Sequence, residues 1–74
     1  MKLYEITNHH YRGKYRNCAC HIVYSEYYNR WYYCIFNRKI SSYSSSLAGN
    51  LYASKDGCVV ACTRYIDTQI KGCL

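Results

Sequence analysis

Residues 30–36 read Arg30-Trp31-Tyr32-Tyr33-Cys34-Ile35-Phe36. Aromatic and β-branched side chains favour a pleated, half-buried surface, so this run is expected to be a strand. Side chains alternate between the two faces of a strand, and here both alternating sets are apolar. The strand is therefore either buried on both faces or leaves one aromatic face open.

Outward from this run the chain repeats the same texture. Short aromatic and β-branched runs are separated by Gly, Ser and Asn, proline is absent, and no helical period stands out, a pattern that predicts an all-β fold. Candidate strands are Lys2–Ile6, Lys14–Arg16, Cys20–Tyr24, Arg30–Phe36, Ser41–Tyr43, Asn50–Ala53, Val59–Thr63 and Gln69–Leu74. The serine-rich stretch from Ser41 to Asn50 reads in part as a connection between two halves. At 74 residues the chain has room for one domain.

Six cysteines, at positions 18, 20, 34, 58, 62 and 73, make a disulfide scaffold the expectation. Domains this small bury too little surface to be secure by burial alone, and disulfides are the usual remedy outside the cytosol. Secretion is expected accordingly. Structural zinc is the competing use of the thiols, but Cys18-Ala19-Cys20 is tighter than a zinc knuckle and Cys58-x-x-x-Cys62 stands alone. The start, Met1-Lys2-Leu3-Tyr4-Glu5, lacks the apolar core of a signal peptide, so a mature form is expected. No apolar run approaches the ~18 residues of a membrane-spanning helix.

Ten Lys and Arg against four Asp and Glu leave a net charge of +6, which draws the protein towards anionic partners. Eleven tyrosines and one tryptophan add rings with polar tips. Cations and rings interleave in Tyr11-Arg12-Gly13-Lys14-Tyr15-Arg16 and in Tyr28-Asn29-Arg30-Trp31-Tyr32-Tyr33. Nucleic-acid binders and proteins that settle on anionic membranes both use this combination. Arg12, Lys14, Arg16, Arg30, Trp31, Arg38 and Lys39 are the expected contact residues. The plain alternative is a solvated basic face over tyrosines that belong to the core.

The two halves resemble each other. The first opens Leu3-Tyr4-Glu5, turns through Tyr11-Arg12-Gly13 and ends Asn37-Arg38-Lys39-Ile40-Ser41-Ser42. The second opens Leu51-Tyr52, turns through Asp56-Gly57-Cys58 and ends Asp67-Thr68-Gln69-Ile70-Lys71-Gly72-Cys73-Leu74. On these motifs the chain resembles the βγ-crystallin superfamily, and most closely its basic, six-cysteine plant antimicrobial members, related in fold to yeast killer toxins. Cys18-Ala19-Cys20, Leu51-Tyr52 to Gly57-Cys58, and Thr63-Arg64-Tyr65 carry the narrower likeness. The resemblance implies a single domain over residues 1–74 made of two Greek keys, about 1–46 and about 50–74, packed as a small sandwich. It also implies a positive φ at Gly13 under Tyr4 and Tyr11, and disulfides Cys18–Cys73 and Cys20–Cys58, which leaves Cys34–Cys62.

Crystallin-type domains bind calcium near Asn37-Arg38-Lys39-Ile40-Ser41-Ser42. Asn37 and Ser41 are the weak calcium candidates, yet Arg38 puts a cation where a hard divalent ion needs anionic oxygen. No other cofactor is expected. Four carboxylates, no G-x-S-x-G and no phosphate-cradling glycine loop leave no diagnostic catalytic set, so no enzyme activity is expected. The resulting expectation is a secreted, cationic, non-catalytic antimicrobial or toxin-like defence protein, a monomer whose partner is an anionic membrane or cell-wall component. Nucleic acid is set aside as the physiological partner, because an exported protein braced by disulfides seldom meets it. A calcium-binding structural or extracellular protein and a protease inhibitor are the alternatives.

Overall fold

A computed structural model describes residues 1–37, 42–47 and 49–69. Among these residues are five strands: β1 (Leu3–Thr7), β2 (His10–Tyr15), β3 (Cys18–Ser25), β4 (Arg30–Asn37) and β5 (Ser42–Ser45). They form one antiparallel sheet in the order β1-β2-β3-β4-β5, with each strand beside its neighbour in sequence. Among the described residues one helix, α1 (Lys55–Gln69), follows and packs on β3 and β4.

The turns explain the meander. Tyr15 faces Cys18 across a two-residue connection in which Arg16 (φ 48°) and Asn17 (φ 65°) are both left-handed. That is the hairpin geometry whose twist matches the strands, and Asn is among the side chains that tolerate it. Between β3 and β4, Ser25 faces Arg30 and Asn29 (φ 53°) supplies the left-handed residue of a four-residue loop.

One face of the sheet carries the core. Cys18, Cys20 and Ile22 from β3, Tyr33 and Ile35 from β4, and Cys58, Cys62 and Ile66 from α1 are buried together. Met1, Leu3, Tyr11, Tyr15, Trp31, Tyr52 and Tyr65 pack around them. Trp31 and Tyr52 exchange two backbone hydrogen bonds of 2.7 and 2.8 Å, so Tyr52 extends the β4 edge beyond β5. Between them Ser46 closes the ladder, its hydroxyl accepting from the Tyr33 amide at 2.9 Å.

The helix corrects the all-β expectation. Ser54 caps it, its hydroxyl accepting the Gly57 amide at 3.0 Å, and Asp56 lies in the first turn, where a negative charge complements the helix dipole. Cys58, Cys62 and Ile66 recur every four residues on the buried side, whereas a strand over Val59–Thr63 would place Val60 with Cys58 and Cys62. Val60 is instead 55 % exposed. Burial of that stripe outweighs the weak helix propensity of Val59, Val60, Thr63, Ile66 and Thr68. The expected second Greek key is thus a helix as far as Gln69, and the first is an open meander; residues 70–74 lie outside the described residues. The serine stretch contains the strand β5 at Ser42–Ser45, overlapping the expected Ser41–Tyr43, and Ser46, Leu47, Gly49 and Asn50 beyond it are outside any strand.

Gly13 also differs from the expectation. It lies mid-strand in β2, opposite Leu3 and Cys20, with no positive φ. Its need for glycine is steric: a Cβ there would stand 2.8 Å from the Met1 side chain and 2.9 Å from the Lys2 carbonyl oxygen.

The cysteine pairings meet the same test. Cys20, Cys34, Cys58 and Cys62 are thiols in this structure. Cys34 faces His21 and Ser45 on the side of the sheet away from the helix, while Cys62 is buried beneath the helix, so the sheet itself separates the expected Cys34–Cys62 pair. Cys20 donates to the Cys18 carbonyl at 3.7 Å and is not joined to Cys58, which shares its buried cluster. Cys18 is buried in the same cluster, and its expected partner Cys73 lies outside the described residues. Donation to Cys20 and burial hold the Cys62 thiol well above its ordinary pKa, and burial pushes Cys58 up to about 12. Cys34 is only half-buried whereas Cys20, Cys58 and Cys62 are buried, so Cys34 should alkylate first, with the other three protected by lack of access until the protein unfolds. Timed alkylation read by peptide mass spectrometry checks this; equal labelling of all four in the native protein would contradict it.

Candidate functional site: the open face of the sheet

The face opposite α1 is set by strand alternation. Register aligns Tyr4, Arg12, His21, Cys34 and Ser45 in one row across the sheet. A second row runs Lys14, Ala19, Phe36 and Tyr43, and a third His10, Val23 and Tyr32. Arg30, paired with Ser25, extends this face at the end of β4. Nothing among the described residues covers it: Tyr4, Phe36 and Tyr43 are 58 %, 40 % and 67 % exposed.

Charge is divided sharply between the two faces. Arg12, Lys14 and Arg30 rise from the open face, and the Lys2 ammonium stands 5.5 Å from the centre of the Tyr4 ring. All four carboxylates lie elsewhere. Glu5 pairs with Tyr11 on the helix side and accepts its hydroxyl at 3.2 Å, Glu26 is in the β3–β4 loop beside His9, and Asp56 and Asp67 are on α1. The open face therefore presents cations with no local carboxylate to neutralise them.

Between β1, β2 and β3 the face is concave. A cavity of about 300 Å³ is lined by Tyr4, Arg12, Lys14, Asn17 and His21 together with the small residues Gly13 and Ala19. Small residues beside long ones create the depression. His21 also meets His10, its Nδ1 lying 2.8 Å from His10 Nε2, an arrangement that needs one ring nitrogen to act as donor and the other as acceptor. Burial, then the neighbouring His10 and Arg12, lowers the His21 pKa. Because the folded value lies below the unfolded one, the unfolded chain takes up more protons as pH falls through 6.5, and stability falls with it until the folded value is passed. His21→Gln should flatten the melting temperature between pH 7 and 5; an identical slope in wild type and variant would contradict this.

The expected contact residues divide accordingly. Arg12, Lys14 and Arg30 come together on the open face. Arg16 sits in the β2–β3 turn with its Nε 3.3 Å from Asp67, which also accepts the Tyr15 hydroxyl at 2.9 Å, so it ties the hairpin to the end of α1. Trp31 faces the helix side, edge-on to Tyr24 with ring centres 5.3 Å apart, and is not on the contact face. Arg38 and Lys39 lie outside the described residues. The calcium candidate Asn37 is fully buried on the helix side of β4, where a hydrated ion has no approach; Ser41 lies outside the described residues. Among the described residues no three His, Cys, Asp or Glu side chains converge to hold a metal ion.

Sequence reading missed Tyr4, His10, His21, Tyr32, Phe36 and Tyr43 as members of this face. The signal was the alternation of Tyr32, Cys34 and Phe36 against Tyr33 and Ile35. What remained undecided was which set the core would take. Comparison with protein-family models, curated proteins and solved structures finds no match to this chain.

Proposed function

We propose that this protein is a non-catalytic binding module whose open sheet face docks onto a polyanion. The carrying observation is the charge division: four cations, Lys2, Arg12, Lys14 and Arg30, accompany three exposed rings on a face that carries none of the four Asp and Glu side chains. Complementary charge speeds encounter and orients it, and rings supply contact area once the partner is seated.

A secreted defence protein acting on anionic membranes or cell walls is one branch of this proposal. That branch leans on paired cysteines for its compartment, and the thiols at Cys20, Cys34, Cys58 and Cys62 give it no added support. The same thiols weaken the reason for setting nucleic acid aside.

Two variants of equal net charge test the module itself. Arg12→Glu reverses a charge on the open face, and Arg64→Glu reverses one on the exposed side of α1. Retention on a heparin matrix should fall much further for Arg12→Glu. Equal elution of the two variants would mean that bulk charge, not this face, governs binding, and the proposal would fail.

A further inference from the structure

We infer that the polyanion is single-stranded nucleic acid; this rests on the reading of the open face as a polyanion site and names its partner. The open face mixes two kinds of group. Lys2, Arg12 and Lys14 stand with the Tyr4 ring over β1 and β2, while Phe36 and Tyr43 stand over β4 and β5 with Arg30 at the end of β4, three strand spacings or roughly 14 Å from β2 to β5. Between them β3 presents Ala19, His21 and Val23. A ligand that fits this layout offers negative charge and flat apolar planes together, repeated across the width of the sheet.

Nucleic acid has both in every repeat, a phosphate and a base. Lipid headgroups and sulfated sugars offer the charge without the flat aromatic plane. Exposed rings on a sheet stack on unpaired bases, each stacking contact carrying a sizeable share of affinity, while in a duplex those base faces are already covered by their neighbours. The concavity between Tyr4, Arg12, Lys14 and His21 has the volume of a small ligand site, and it combines two rings with two cations. It suits one nucleotide unit held at the edge of the track. The membrane alternative fits this face less well, since the tryptophan that would favour an interface is turned towards the helix.

The test uses the whole chain under reducing conditions and fluorescence anisotropy with labelled probes: a short oligouridylate, a short oligothymidylate, a duplex of the same length, a heparin oligosaccharide and phosphatidylserine vesicles. Single strands should bind more tightly than duplex, and log affinity should fall against log salt with a slope of about −3, from four phosphate contacts at about −0.7 each. Phe36→Ala and Tyr43→Ala remove exposed rings and should each weaken single-strand binding about tenfold with little change in melting temperature. Arg64→Gln, on the helix side, should leave it unchanged.

Equal affinity for duplex and single strand, or ring variants that bind like wild type, would overturn the inference. If heparin or vesicles bind and oligonucleotides do not, the partner is wrong while the polyanion face stands. If no probe binds, both fail together.

Discussion

Ile66→Ala is expected to remove about 2–5 kcal/mol of stability, the range for truncating a buried aliphatic side chain where the surroundings cannot collapse into the void. Ile66 is 1 % exposed and is the last buried anchor of α1 against the sheet. For a domain of this length each kcal/mol moves the melting temperature by roughly 4–8 °C, so the shift should exceed about 10 °C. Val60→Asp in the same helix is the contrast. Its side chain points to solvent, and the cost should stay within about 1 kcal/mol. The pair discriminates between helix and strand over this segment. A strand through Val59–Thr63 would turn Val60 inward beside Cys58 and Cys62 and make Val60→Asp the damaging change. Thermal denaturation of both variants decides the matter, and a larger loss for Val60→Asp would refute the helix.

Gly13→Val should be comparably severe, for a reason unrelated to backbone dihedral strain. The added Cβ would meet the Met1 side chain at 2.8 Å and the Lys2 carbonyl oxygen at 2.9 Å. Met1 can swing away, but the carbonyl belongs to the backbone of the chain entering β1, so relief requires β1 to move off β2. Overpacking of this kind costs roughly 1–3 kcal/mol, and the branched side chain raises the cost above that of alanine. Gly13→Ala should therefore lie between wild type and Gly13→Val in denaturant unfolding. If alanine is neutral, the close approach of Lys2 is not what requires glycine. Loss of β1 would also remove Tyr4 from the open face, so binding of single strands should weaken along with stability.

Local chemistry made much of the sheet legible. Phe36, Ile35 and Tyr33 could only be a strand in a chain with so many aromatic and β-branched residues and no proline, and β1, β3 and β4 fall close to the expected positions. The basic excess was legible for the same reason: charge count needs no coordinates, whereas the register of the strands is what brings Arg12, Lys14 and Arg30 to one face. The Arg16-Asn17 turn was not, because two residues able to adopt a left-handed conformation do so only when the flanking strands pair in register around them.

Residue chemistry alone established a β-rich first half, a strong positive charge and an unusual store of tyrosine and cysteine. Tertiary structure decided the rest. Residues 55–69 carry both β-branched residues that suit a strand and a four-residue stripe that suits a helix, and only the apolar face of β3 and β4 awaiting cover selects the helix. The same docking chose Tyr33 and Ile35 for the core and left Tyr32, Cys34 and Phe36 on the other side. It thereby fixed which thiols can meet and which cations share a face, because a side chain's face depends on which side of the sheet the helix covers, a long-range choice that no local stretch of sequence contains.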